Sequence, residues 1–162
     1  MTHPIFERFT STATMMDAEI ELLQRGADAV PVLETFFNGQ ARNAFGAPYR
    51  QLGLPLRCAL EVARRLGSVA KPLEPFLRKE LNDGHFVAAM ALGSLGSLEE
   101  ESIHSLANGL CGGIDMACES AVALIACGAE NHPAVVGVLA HSEKAAQEFR
   151  RTEAFVKRKQ SS

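Results

Sequence analysis

Four glycines punctuate this chain, and the residues around each of them repeat one another. Gly26, Gly67, Gly96 and Gly128 are 41, 29 and 32 residues apart. Five positions after them stand Pro31, Pro72, Glu101 and Pro133. Eight positions before them stand Ala18, Ala59, Ala88 and Ser120, and four before them Leu22, Ala63, Leu92 and Leu124. Such a pair lies on one helical face, where the small side chain lets a neighbouring helix come close. Glycine then supplies the left-handed cap at which a helix stops most easily. Proline is tolerated in the first turn of the next helix, where its missing N–H has no partner to lose. In the clearest instance one helix runs from Arg57 to Gly67, and a second follows a tight turn with Pro72 in its first turn. Each unit predicts a helical hairpin, at the interval of stacked two-helix repeats rather than of a bundle.

The runs Gly26-Ala-Asp-Ala-Val-Pro-Val-Leu33 and Val87-Ala-Ala-Met-Ala-Leu-Gly-Ser-Leu-Gly96 resemble the two halves of a short bacterial HEAT repeat. Repeats of this type are also seen in phycobilisome-lyase-like proteins. The resemblance covers most of residues 12 to 144 and implies an all-α, right-handed solenoid of about four hairpins. It implies a shape and almost nothing about activity.

A chain of 162 residues with 47% hydrophobic and 22% charged side chains has enough apolar material for one domain core. Abundant Ala and Leu, a single tyrosine (Tyr49) and no tryptophan fit an all-helical reading. The repeats are expected over residues 1–144, with an insertion at 39–55 and a basic C-terminal helix at 145–162. No basic-then-apolar leader opens the sequence. Nor does any stretch reach the roughly 18 uninterrupted apolar residues of a membrane span, so the cytoplasm is the expected site of action. The net charge of −3 is unevenly placed: from Lys144 onward six basic residues face two acidic ones, leaving −7 on the rest. An acidic body argues against nucleic acid as the main ligand and suits a basic protein partner. The tail is expected to cap the stack.

The first helix carries Met15, Met16, Ile20, Leu22 and Leu23, with Ser11, Thr12 or Asp17 as N-cap, and is expected to cover the open end of the stack. The second helix of unit one, Ala29 to about Asn38, is expected to pack through Val32, Leu33, Phe36 and Phe37. Residues 39–55 then hold three glycines and two prolines, and insertions in repeat proteins often meet the ligand. Arg42, Asn43, Tyr49 and Arg50 are the groups there that anchor interfaces, the alternative being that Phe45, Tyr49 and Leu52 tuck against unit two. Further on, Glu99-Glu-Glu101 suits a helix start, where carboxylates meet the positive end of the dipole, and Asn131 reads as an N-cap. If second helices line the concave side, slots three and seven after the proline position face it. Those slots hold Glu34 and Asn38, Pro75 and Lys79, His104 and Asn108, and Val136 and Ala140, with Glu74, Arg78 and His141 adjacent.

Catalytic readings find less. HEAT-like di-iron hydroxylases use His-Glu pairs at the starts of first helices, where this chain has Gly84-His85-Phe86 and Ile114-Asp115-Met116. DNA glycosylases of this architecture need a basic, aromatic-rich face, and a bilin lyase stays open only through the repeat itself. His3, His85, His104, His132 and His141 are scattered one per element without metal-ligand spacing, though His104 could meet Glu74 or His141 as an acid–base pair. Cys58, Cys111, Cys118 and Cys127 form no Cys-x-x-Cys and read as small filler on buried faces, with Cys58 beside Arg57 the one candidate for reactivity. No cofactor is expected. The sequence therefore predicts a non-enzymatic protein-binding module, most specifically an immunity protein or inhibitor that blocks a basic bacterial toxin or enzyme. The alternatives are an adaptor or chaperone for a secreted or assembling protein, and a HEAT-repeat enzyme.

Overall fold

The computed structural model describes residues 4–162. Among them there is no strand, only one isolated bridge between Arg42 and Pro48. The helices are α1 (Pro4–Glu7), α2 (Met15–Arg25), α3 (Ala29–Phe37), α4 (Gly53–Leu66), α5 (Glu74–Asn82), α6 (Phe86–Gly93), α7 (Glu100–Gly109), α8 (Ile114–Ala126), α9 (Pro133–His141) and α10 (Glu143–Gln160). Short 3-10 segments lie at Arg8–Thr10, Gly26–Asp28, Tyr49–Gln51 and Gly67–Leu73. None of these helices is long and apolar enough to cross a membrane.

The helices contact one another in two rows. In the first, α2 touches α4, α4 touches α6, α6 touches α8, and α8 touches α10. In the second, α3 meets the Gly67–Leu73 segment that leads into α5, α5 meets α7, and α7 meets α9. The small positions Ala18, Ala59, Ala88 and Ser120 are all fully buried, as are Leu22, Ala63, Leu92 and Leu124 four residues later. All four glycines of the series have positive φ, from 56° at Gly26 to 85° at Gly96. An L side chain is strained there, so glycine is the residue that lets the chain turn.

Unit by unit the helix ends differ from the sequence pattern for local reasons. In unit two the second helix begins at Glu74, so Pro72 lies in the preceding 3-10 segment and Pro75 occupies the first turn instead. In unit three the first helix ends at Gly93, a turn before Gly96. A Cβ on Gly93 would lie 2.9 Å from Ala123 Cα, so α8 occupies the space that a side chain there would need. His132, not Asn131, caps α9: its Nδ1 accepts the Ala134 N–H at 3.0 Å, and Pro133 holds the first helical position.

The first helices of the two rows are covered differently from expectation, by the N-terminal segment and not by the apolar side chains of α2. Ile5, Phe6 and Phe9 are at most 4% exposed, whereas Met16 and Ile20 on α2 are 63% and 42% exposed. The residue at the N-cap of α2 is Thr14, and the helix buries only Ala18 and Leu22. The Arg8–Thr10 segment packs on α2 and α4, and Phe6 stacks edge-on against Phe36 with centroids 5.0 Å apart. Along α3, Val30 joins Leu33, Phe36 and Phe37 in the core, while Val32 is only half-buried.

Gly93→Ala discriminates packing from propensity. Propensity alone would stabilise a helix by about 1 kcal/mol. The contact with Ala123 should instead force α6 and α8 apart, for a net loss of roughly 1–3 kcal/mol in urea denaturation. Met16→Ala should stay within about 0.5 kcal/mol of wild type.

Candidate protein-binding surfaces

The 39–55 insertion is a cross-braced hairpin. Ala41 N–H donates to Thr35 O at 2.9 Å, Tyr49 N–H to Ala41 O at 3.1 Å, and Asn43 N–H to Ala47 O at 2.9 Å. Asn43 Oδ1 accepts from both Phe45 N and Ala47 N at 3.0 Å, and Arg42 Nη1 donates to Gly46 O at 2.7 Å. Gly46, at φ +82°, makes the turn. Arg42 and Asn43 therefore shape the tip.

Tyr49 and Arg50 hold its base and are not open contact residues. Tyr49 is 1% exposed, and its hydroxyl donates to Glu7 Oε2 at 2.6 Å. Burial above all, with the Glu7 carboxylate beside it, pushes the phenol up to about 12. Arg50 donates to Glu80 Oε1 from Nε at 3.0 Å and from Nη2 at 2.7 Å, and the Glu80 side chain is 2% exposed. What the hairpin presents is Phe45, 95% exposed at the tip. The sequence offered it only as a residue that tucks inward. The signal that could have found it was its place beside Asn43 and Gly46, both turn formers.

Along the second helices, Glu34, Asn38, Lys79, His104, Asn108 and His141 are exposed, and Glu74 is completely buried. Glu74 is bound by Lys71 Nζ and accepts from Glu99 N at 2.6 Å and Ser102 Oγ at 3.0 Å. Arg78 donates to Ser102 Oγ and Glu99 Oε2, both at 3.1 Å. These two residues knit α5 to α7 rather than facing a partner.

His104, Asn108 and His141 do come together, lining a shallow groove of about 370 Å³ between α7 and α9. The carboxylate nearest His104 is Glu100, 3.8 Å away, not Glu74. Glu100 is also 2.6 Å from His132 Nε2. His132 Nδ1 already accepts the helix N–H, so Nε2 carries the proton that Glu100 receives, and the ring is engaged at both nitrogens. His3 lies outside the described residues. Among those described, no group of three or more His, Cys, Asp or Glu side chains is placed to hold a metal ion.

A larger concavity, of about 650 Å³, lies between α8 and α10. Leu110, Ala117, Val122 and Ala145 line it, with Ile114 and Phe155 at its edges, 79% and 54% exposed. Cys111 and Cys118 line it too and are exposed, so they are not core filler, whereas Cys58 is buried and Cys127 half-buried. Sequence reasoning missed this groove because an apolar stripe on α8 looks the same whether a helix covers it or leaves it open.

Two ionisable groups report on these surroundings. The Glu119 carboxyl in the groove is pushed up by burial and by Asp115 one turn earlier, against the pull of Arg64. Burial raises the Cys58 thiol to about 12, and the Glu19 carboxylate adds to it, outweighing Arg57. Cys58 is therefore not the reactive thiol.

Compared with family models, curated proteins and solved structures, the chain matches none.

An aromatic disulfide reagent at neutral pH should titrate Cys111 and Cys118 rapidly in the native chain, with Cys127 slow and Cys58 reacting only after unfolding. Cys58→Ser should leave the fast amplitude unchanged, and Cys118→Ser should halve it.

Proposed function

We propose that the chain is a non-enzymatic protein-binding module, a short right-handed α-solenoid of about four HEAT-like hairpins, and most specifically an inhibitor of the immunity-protein type. In this reading it blocks a basic bacterial toxin or other basic enzyme. The observation that carries it is Phe45, a fully presented aromatic on a hairpin already braced in one conformation. Aromatic side chains are frequent binding hot spots, and a rigid presenter loses little entropy on association. The two rows of helix contacts support the solenoid. The non-enzymatic reading is supported by the use made of the acidic and basic groups. Glu74, Glu80, Arg50 and Arg78 are engaged in cross-element locks. The charge of −7 before Lys144 favours a basic partner.

The α8/α10 groove favours a second reading, an adaptor that holds a segment of another protein without silencing it. Stoichiometric capture separates the two. An inhibitor retains a folded enzyme and abolishes its turnover at one equivalent, and an adaptor leaves turnover intact. Phe45→Ala should weaken the captured complex by about 2 kcal/mol or more, roughly 30-fold in Kd. Its urea midpoint should match wild type, because a side chain 95% exposed contributes little to folding. An unchanged Kd for Phe45→Ala would remove the hairpin from the interface.

A further inference from the structure

The charged side chains lining the α8/α10 groove leave its α8 wall negative and its α10 wall net positive. On the α8 side stands Glu119, with Asp115 four residues earlier on the same stripe of that helix but outside the groove lining. On the α10 side stand Lys144 and Arg151, with Glu148 between them. Among the described residues Asp115, Glu119 and Lys144 make no ion pair, and Arg151 reaches only Glu148, at 3.5 Å and 76% exposed. Such an exposed pair is worth little. Arg64, the nearest cation to Glu119 from another helix, is taken up by Glu61 at 2.5 Å. Between the walls lies an apolar strip formed by Ile114, Cys118 and Val122, each four residues from the last.

An occupant must satisfy both walls. A ligand with a head of one sign, such as a fatty acid or a nucleic acid, would meet one wall and be repelled by the other. An amphipathic helix presents an apolar stripe with two independent flanks, and it lies naturally between two helices. A second copy of this chain does not supply that helix. Among the described residues the one helix with two exposed large apolar side chains is α2, whose Met16 and Ile20 have Asp17 on one flank and Glu19 on the other. One of those carboxylates would face the acidic wall.

We propose that the groove docks an amphipathic helix of another protein, with cationic side chains along the flank facing α8 and carboxylates along the flank facing α10. The apolar side chains of that helix enter the 650 Å³ space between Ile114 and Phe155. The charges fix the direction in which the helix lies, since reversing it end for end exchanges its flanks. Docking at this groove does not depend on the hairpin reading of Phe45, so the two stand or fall separately.

The test uses the full chain and three fluorescein-labelled synthetic helical peptides of about four turns. All share the same leucine stripe. One carries lysine on one flank and glutamate on the other, one lysine on both, and one glutamate on both. Fluorescence anisotropy should show the split peptide binding at least about tenfold more tightly than either uniform one, with the difference shrinking as salt is raised. Bound peptide should protect Cys118 from a maleimide. Glu119→Lys should reverse the order, so that the glutamate-only peptide becomes the best ligand. Ile114→Asp, at a site already 79% exposed, should weaken all three without lowering the urea midpoint. Equal binding of the three peptides would overturn the proposal, reducing the groove to an unselective apolar cavity. Absence of binding by the split peptide with Cys118 still freely labelled would overturn it as well.

Discussion

Close approach between neighbouring first helices is the constraint on which the rest of this structure depends. Ala18, Ala59, Ala88 and Ser120 sit fully buried on α2, α4, α6 and α8, and Gly93 meets Ala123 without a side chain between them. None of these residues contributes much apolar area of its own. They set the distance at which Leu22, Leu92 and Leu124 interlock, and the dispersion gained there falls off steeply with any gap. The fit is tight enough to tolerate an imperfection. Ser120 Oγ is buried without a hydrogen-bond partner, under Gly109, where even a Cβ would come within 2.3 Å of it.

The second row is held by a different kind of force. Among the described residues two glutamates are buried as whole side chains, Glu74 and Glu80, and each is met by donors from other elements. Glu74 joins α5 to the start of α7 through the Glu99 amide and Ser102, and Glu80 joins α5 to the base of the hairpin through Arg50. A buried carboxylate is tolerable only when such partners are in place, so these locks fix the registration of the elements they join.

Periodic features were legible in the sequence and aperiodic ones were not. The glycine series, the small positions and the hairpin order follow from spacing, because a helical face repeats and a sequence records the repeat. The burial of Tyr49, Arg50 and Glu74 was not legible, since each owes its position to one partner far along the chain: Glu7, Glu80 and Ser102. Phe6 and Phe9 are buried while Met16 and Ile20 are exposed, an outcome that no pattern encodes. The α8/α10 groove was invisible for the opposite reason. Ile114, Cys118 and Val122 have the spacing of a buried face, and only the placement of α10 leaves that face open. Proline position also misled by a few residues in unit two, where Pro75 rather than Pro72 occupies the first turn of α5.

The hairpin divides its residues between two duties. Tyr49 and Arg50 tie its base to Glu7, Glu80 and Asp83, and substitution there strains the whole fold. From Ala44 to Gly46 the tip faces solvent, and at position 45 no side-chain contact constrains the choice of residue. Selection acting on such a loop can exchange the presented group in a single step while the scaffold stays intact. The choice of side chain at position 45 is therefore uncoupled from the stability of the scaffold, while Gly46 beside it is held to glycine by its φ of +82°.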